Sequence, residues 1–103
     1  MLVSIIIPTI NRTEKLKKLI KNIIDQDNNQ IEVIIIDQSD KKNTSEFIND
    51  KMINYIWVPS IRNLSDARNY GIKYAKGDYI GFLDDDLTLS DQFINRLFQT
   101  IKE

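Results

Sequence analysis

Asp84, Asp85 and Asp86 follow one another directly after an apolar stretch, residues 78–83. Three adjacent carboxylates repel one another unless a cation lies among them. A hard divalent ion, Mg2+ or Mn2+, takes oxygen ligands, uses only one or two protein carboxylates, and fills its other positions with water and substrate phosphate. Such an ion would bridge the chain to a diphosphate. The competing reading is a solvated acidic turn that caps a helix. Asp37 closes a second apolar run, residues 31–36, where its carboxylate either accepts from a nucleobase N–H or ribose hydroxyl or shapes a turn. Arg68 is expected in the first turn of a helix, where the helix dipole disfavours a cation. A diphosphate would explain it, and so would an ion pair with the triplet.

Composition narrows the chemistry. The 103 residues include no cysteine and no histidine, which removes disulfides, thiolate nucleophiles, the usual zinc sites and imidazole bases. Glycine occurs only at Gly71, Gly77 and Gly81, so neither a P-loop nor a GxGxxG turn can be drawn, and a bound diphosphate falls to a metal. Gly71 and Gly81 are expected at close helix-to-sheet contacts and Gly77 at a helix end. A formal net charge of −1 offers no counterion-releasing surface, so nucleic acid is not an expected partner. Residues 2–7 are too few for a membrane span and lack a preceding basic region, so the domain is expected to face the cytoplasm.

The elements that must position these residues alternate in type. Residues 3–7 form an unbroken β-branched run stopped by Pro8, a strand buried on both faces. Asn11 and Glu14 have capping-box spacing ahead of a helix to about Asp25, whose inner stripe is Leu16, Leu19, Ile20, Ile23 and Ile24. Lys15, Lys17, Lys18 and Lys21 lie off that stripe, as a solvated face or an anionic contact. Strands are predicted at 31–36, 55–58 and 78–83, a short helix at 45–51, a helix capped by Ser65 that carries Ala67, Tyr70, Tyr74 and Ala75, and a last helix capped by Ser90 with Phe93, Ile94, Leu97, Phe98 and Ile101 inward. Trp57, Tyr70, Tyr74, Tyr79 and Phe82 are expected in the core. The βαβα alternation implies one α/β domain, a three-layer α/β/α sandwich on a mostly parallel sheet, with ligands outside the carboxyl ends of its strands.

Four segments together resemble the inverting glycosyltransferases of family 2, whose donor domain has the Rossmann-like glycosyltransferase type A fold. Val3-Ser4-Ile5-Ile6-Ile7-Pro8-Thr9-Ile10-Asn11-Arg12 is similar to the family's opening strand and turn, and Glu32-Val33-Ile34-Ile35-Ile36-Asp37 to its second strand and base-binding Asp. Asn63-Leu64-Ser65-Asp66-Ala67-Arg68-Asn69-Tyr70-Gly71 resembles the Ala-Arg-Asn helix start. Lys76-Gly77-Asp78-Tyr79-Ile80-Gly81-Phe82-Leu83-Asp84-Asp85-Asp86 resembles the segment ending in Asp-any-Asp. Departures are Ile10 where the family usually has an aromatic residue, Gln38-Ser39-Asp40 in place of Asp-Gly-Ser, and Asn63 where Gly is frequent.

The resemblance implies that residues 1–103 are the donor-binding portion of the domain. It places Pro8, Thr9 and Asn11 along the nucleotide pocket and gives Asp37 the N3–H of a uracil-type base. Arg68 falls near the diphosphate and Asp84 or Asp85 near the ribose and sugar. Asp86, with Asp84, falls at Mn2+ or Mg2+, and the assignment within the triplet is open by one position. The implied donor is a UDP-sugar and the acceptor a saccharide or lipid-linked saccharide in bacterial surface-polysaccharide synthesis, at the inner face of the membrane. The acceptor-binding portion and the catalytic carboxylate are expected beyond Glu103. An incomplete sheet would leave an edge open to self-association. Two other readings are a noncatalytic nucleotide-sugar-binding module and a receiver-type phosphoryl-transfer fold. The second lacks a phospho-accepting Asp after the third strand, where Pro59 and Ser60 stand.

Overall fold

A computed structural model describes residues 1–102. Its elements are β1 (Val3–Thr9), α1 (Thr13–Asp25), β2 (Ile31–Asp37), a 3-10 turn (Glu46–Asn49), β3 (Ile53–Trp57), α2 (Leu64–Ile72), β4 (Tyr79–Phe82) and α3 (Phe93–Lys102). All strand pairs are parallel, in the order β3-β2-β1-β4. The three-layer sandwich on a parallel sheet is therefore present. Chain connections leave β1 toward β2 on one side and return to β4 on the other, and this reversal opens a crevice at the carboxyl ends of β1 and β4.

Alternation along β1 and β2 divides the core. Val3, Ile5, Ile7, Val33 and Ile35 pack with α1 and with Ile94 and Phe98 of α3, while Ile6, Ile34 and Ile36 pack against Ala67 of α2. Both central strands are buried on both faces, as their unbroken isoleucine runs require. The α1 stripe is buried through Leu16, Leu19, Ile20 and Ile23, and the lysines off it are exposed.

Several boundaries differ from expectation. Pro8 lies inside β1. Val3 N bonds Gln30 O and Gln38 N bonds Thr9 O, so odd residues face β2 and Pro8 faces the β4 side, where pairing has already ended at Ile6↔Phe82. Its missing N–H therefore costs no ladder bond. Asn11 does not cap α1. It adopts φ 52, a left-handed turn that Asn tolerates, and Arg12 precedes the helix without a side-chain cap. Helix α2 is capped by Asn63 rather than Ser65: the Asn63 side chain accepts from Asp66 N at 2.8 Å and donates to the Asp66 carboxylate at 2.8 Å. Among the described residues the Ser90 side chain does not cap α3, which begins at Phe93; its backbone O accepts from Phe93 N at 3.1 Å. Gln26, beyond the end of α1, accepts from Ile94 N at 2.8 Å and donates to Ser90 O at 2.9 Å.

The predicted helix at 45–51 is one 3-10 turn, and β3 begins two residues earlier than expected. Helix α2 ends at Ile72, so Gly77 does not terminate it. A Cβ at Gly77 would lie 2.6 Å from Ser4 Oγ and 2.8 Å from Leu2 O, which ties this glycine to close passage beside β1. Gly71 meets expectation, since a Cβ there would lie 2.6 Å from Ile6 Cγ2, but Gly81 opens onto free space. Trp57, Tyr74, Tyr79 and Phe82 are exposed rather than core residues. The last two belong to β4, which forms one margin of the sheet.

Candidate functional site

The carboxyl ends of β1, β2 and β4 form one rim with two adjoining cavities. One, of about 340 Å3, lies among Pro8, Thr9, Arg12 and the three aspartates that follow β4. The other, of about 260 Å3, contains Asn11, Asp37 and the loop after β2, including Lys41 and Lys42. Seven of the eight residues singled out from the sequence line one cavity or the other. Arg68 lines neither and approaches from α2, with Nη2 3.7 Å from Asp84 Oδ1 and its guanidinium carbon 5.5 Å from the centre of the Phe82 ring.

The members of the acidic triplet have different environments. Asp85 is buried: it accepts from Thr9 Oγ1 at 2.8 Å and from Arg12 Nη1 at 3.2 Å, joining the end of β4 to the end of β1. Asp84 and Asp86 point outward, with side chains 63% and 48% exposed. The Arg12 Nη1 that holds Asp85 also lies 3.7 Å from Asp86 Oδ2. Two arginines thus compensate three carboxylates, and a metal is not the only cation that would allow the triplet to stand together. The Arg68–Asp84 pair expected as one alternative is formed. Its dipole argument weakens, because with Asn63 as cap Arg68 sits beyond the first turn of α2.

Among the described residues no group of three or more acidic, histidine or cysteine side chains could enclose a metal. Asp84 and Asp86 nonetheless supply two accessible hard oxygen donors beside a cavity, which fits a cation that completes its shell with phosphate and water. Arg68 Nε is buried without a partner, a donor the fold leaves unsatisfied beside this wall.

The second cavity has a built floor. Asp37 is 2% exposed; its Oδ1 accepts from Ser39 N at 3.0 Å and its Oδ2 from the Tyr55 hydroxyl, which in turn accepts from Asn43 N at 2.8 Å. Burial, followed by the bond to the Asp37 carboxylate, raises the Tyr55 phenol above its ordinary value and keeps it protonated as a donor. Trp57 Nε1 donates to Ser39 O at 2.8 Å, and Asn11 N to Ser39 Oγ at 2.7 Å. These bonds fix the loop after β2 in one shape.

The fold agrees with comparison to known proteins. The family model described as "Glycosyl transferase family 2" matches residues 4–103. The chain belongs to that family. A Campylobacter jejuni relative, "GalNAc(5)-diNAcBac-PP-undecaprenol beta-1,3-glucosyltransferase", is 31% identical over 97% of this chain and 34% of its own length. S. aureus TarS 1-349 in complex with UDP-GlcNAc superposes with TM-score 0.83 at 21% identity, covering 99% of this chain and 31% of that one. The mannosyltransferase PcManGT from Pyrobaculum calidifontis, in complex with GDP-Man and Mn2+, gives 0.82 at 19% identity over 98% of this chain and 32% of its own. At these identities the two structures show the shared type A fold. The chain spans between about a third and two fifths of the length of three curated relatives it matches, and 13% of another.

Three site residues of this family 2 domain carried no role on sequence grounds. Arg12 stood within the polar rim after β1, and its charge beside an acidic triplet was an available signal. Tyr55 had none in the linear sequence, since it meets Asp37 only through the register that pairs Ile35 with Tyr55 and Asp37 with Trp57. Gln38 is a third: it is buried, and its side chain donates to Ile61 O at 3.2 Å, tying the β2 loop to the approach of α2.

Proposed function

We propose that this rim binds a nucleoside-diphosphate sugar, with UDP favoured, and that the chain is the donor-binding portion of an inverting, metal-assisted glycosyltransferase. The observation that carries the reading is the junction at the switch point, where Thr9 at the end of β1 and Arg12 just before α1 meet Asp85 and Asp86 beyond β4 around a 340 Å3 cavity. Asp37 and Asn11 take the base side, and Pro8 and Thr9 line the nucleotide pocket beside the triplet. Arg12 and Arg68 face the diphosphate, and Asp84 or Asp85 the ribose and sugar. Asp86, with Asp84, would hold Mn2+ or Mg2+, which when bound offsets charge on the departing diphosphate.

In the proposed reaction the acceptor oxygen bonds to the anomeric carbon as the bond from that carbon to the diphosphate breaks, and the acceptor proton passes to a carboxylate base. On the family pattern that base belongs to the acceptor-binding portion beyond Glu103. TarS with UDP-GlcNAc and PcManGT with GDP-Man and Mn2+ support the donor class, and the undecaprenol-linked name of the Campylobacter relative supports a lipid-linked saccharide acceptor in surface-polysaccharide synthesis. That acceptor class favours a cytoplasmic domain peripheral to the membrane. Among the described residues no helix is long and apolar enough to cross one.

Calorimetric titration with UDP and with GDP, each with Mn2+ and with chelator, tests the proposal. Metal-dependent heat that favours UDP is expected; metal-independent binding would remove the cation, and absence of binding to either nucleotide would overturn the donor site. A second copy is a further proposed partner through the open β4 margin, where Tyr79, Ile80 and Phe82 are exposed. Light scattering should then show concentration-dependent dimers that Ile80→Lys abolishes.

A further inference from the structure

Arg12 is anchored at one end and free at the other. Its Nη1 lies 3.2 Å from an oxygen of Asp85, which the fold buries and Thr9 holds, and 3.7 Å from an oxygen of the exposed Asp86. The side chain is about half exposed and faces the 340 Å3 cavity. A guanidinium so placed acts in opposite directions on two ligands. For a divalent cation approaching Asp86 it is a like charge already beside the carboxylate, and for a diphosphate entering the cavity it is a donor whose Nε and Nη2 make no hydrogen bond among the described residues. The Arg68 contact differs, because Arg68 reaches only Asp84 and leaves the buried anchor untouched.

We infer that Arg12 is a resident counter-cation that makes metal binding at Asp86 conditional on the diphosphate. Without nucleotide, Arg12 offsets part of the charge of Asp85 and Asp86 and lowers affinity for the metal. A bound diphosphate gives the guanidinium a second anionic partner and releases Asp86 to the metal. Because coupling between two ligands is reciprocal, the same residue makes nucleotide affinity depend on the metal. This inference rests on the metal-assisted reading above and adds to it a coupling role for Arg12.

The test measures Mn2+ affinity by electron paramagnetic resonance, with and without UDP, for the native chain, Arg12→Met, Arg12→Gln and Lys21→Met. Arg12→Gln keeps a donor for Asp85 without the charge. Lys21→Met removes one positive charge from the exposed face of α1, where Lys21 pairs with Asp25. Both Arg12 variants should bind Mn2+ about tenfold more tightly than the native chain in the absence of UDP, the scale of one like charge removed at this distance in a partly exposed site. The enhancement of Mn2+ affinity by UDP should shrink by a similar factor, and Lys21→Met should match the native chain. A purely structural Arg12 cannot tighten metal binding. Unchanged or weaker nucleotide-free Mn2+ binding in the Arg12 variants, beside UDP-dependent binding in the native chain, would overturn the inference alone. No Mn2+ binding by the native chain even with UDP would overturn the metal-assisted reading and this inference together.

Discussion

The two walls of the site are built on different principles. On the Asp37 side the carboxylate is almost wholly buried, and each of its oxygens accepts a bond from a neighbour that the fold holds in place. On the triplet side Asp84 and Asp86 are largely in solvent, and their arginine partners stand 3.7 Å away, outside hydrogen-bonding distance. A buried, satisfied network is formed when the chain folds and changes little afterwards, whereas an exposed ion pair is weak and can be exchanged. Under the proposed function, the first wall would supply shape for a planar base and the second charge that a ligand can rearrange.

The widest separation between the walls should come from Asp86→Ala. It should lose Mn2+-dependent UDP binding by more than the roughly 10–100-fold typical of residues that only support a metal ligand, while stability to urea stays within about 1 kcal/mol of native. An equal loss of fold and binding would erase the distinction. Asp37→Asn should behave in the reverse sense. It replaces the charged acceptor of two internal bonds and should cost about 1–3 kcal/mol of stability, with uridine nucleotides weakened more than Mn2+. Equal weakening of both ligands would show that the walls do not act separately.

Tyr55→Phe sharpens the same contrast with a smaller effect. Loss of the hydroxyl that joins Asp37 to Asn43 should destabilise the chain by about 1–2 kcal/mol and loosen the loop after β2 in hydrogen exchange. The pH dependence has a definite sign: a phenol whose folded pKa lies above its unfolded value adds stability that is complete below about pH 10 and fades as pH rises toward the folded value. The native chain should therefore lose stability above pH 10 more steeply than Tyr55→Phe, as thermal melts from pH 9 to 11 would show. Among effects on stability the smallest belongs to Asp84→Asn, where an exposed pair is removed and urea melts should shift by less than about 1 kcal/mol.

How much of this was legible in the sequence follows from range of interaction. The isoleucine runs of β1 and β2 announced central strands because burial on both faces needs an unbroken apolar pattern, and the stripe from Leu16 to Ile23 announced α1 because helical burial repeats at 3.6 residues. The rim was legible too, since strand ends gather ligands in any such sheet. What the pattern concealed depended on partners distant along the chain. Gly77 is required by Ser4 and Leu2 rather than by the helix before it, and Gln26 brackets a helix that starts at Phe93. Asp85 resembles its neighbours in sequence and departs from them only because Thr9 and Arg12 lie beside it. The aromatic residues of β4 looked like core because strands usually have two covered faces, yet this one lies at the margin.

The central claim is that nucleotide and metal meet at the carboxyl rim of the sheet. A larger cavity of about 660 Å3 lies at the opposite end, among Asn28, Glu32, Lys51 and Lys76, and offers a physical alternative. Nuclear magnetic resonance of the nitrogen-15-labelled chain with UDP, followed by trace Mn2+, separates the two ends directly. UDP-induced shifts are expected at Thr9, Asn11 and Asp37 through Asn43, with paramagnetic broadening centred on Asp84, Asp85, Asp86 and Arg12. Shifts and broadening centred on Asn28, Lys51 and Lys76 would contradict that claim.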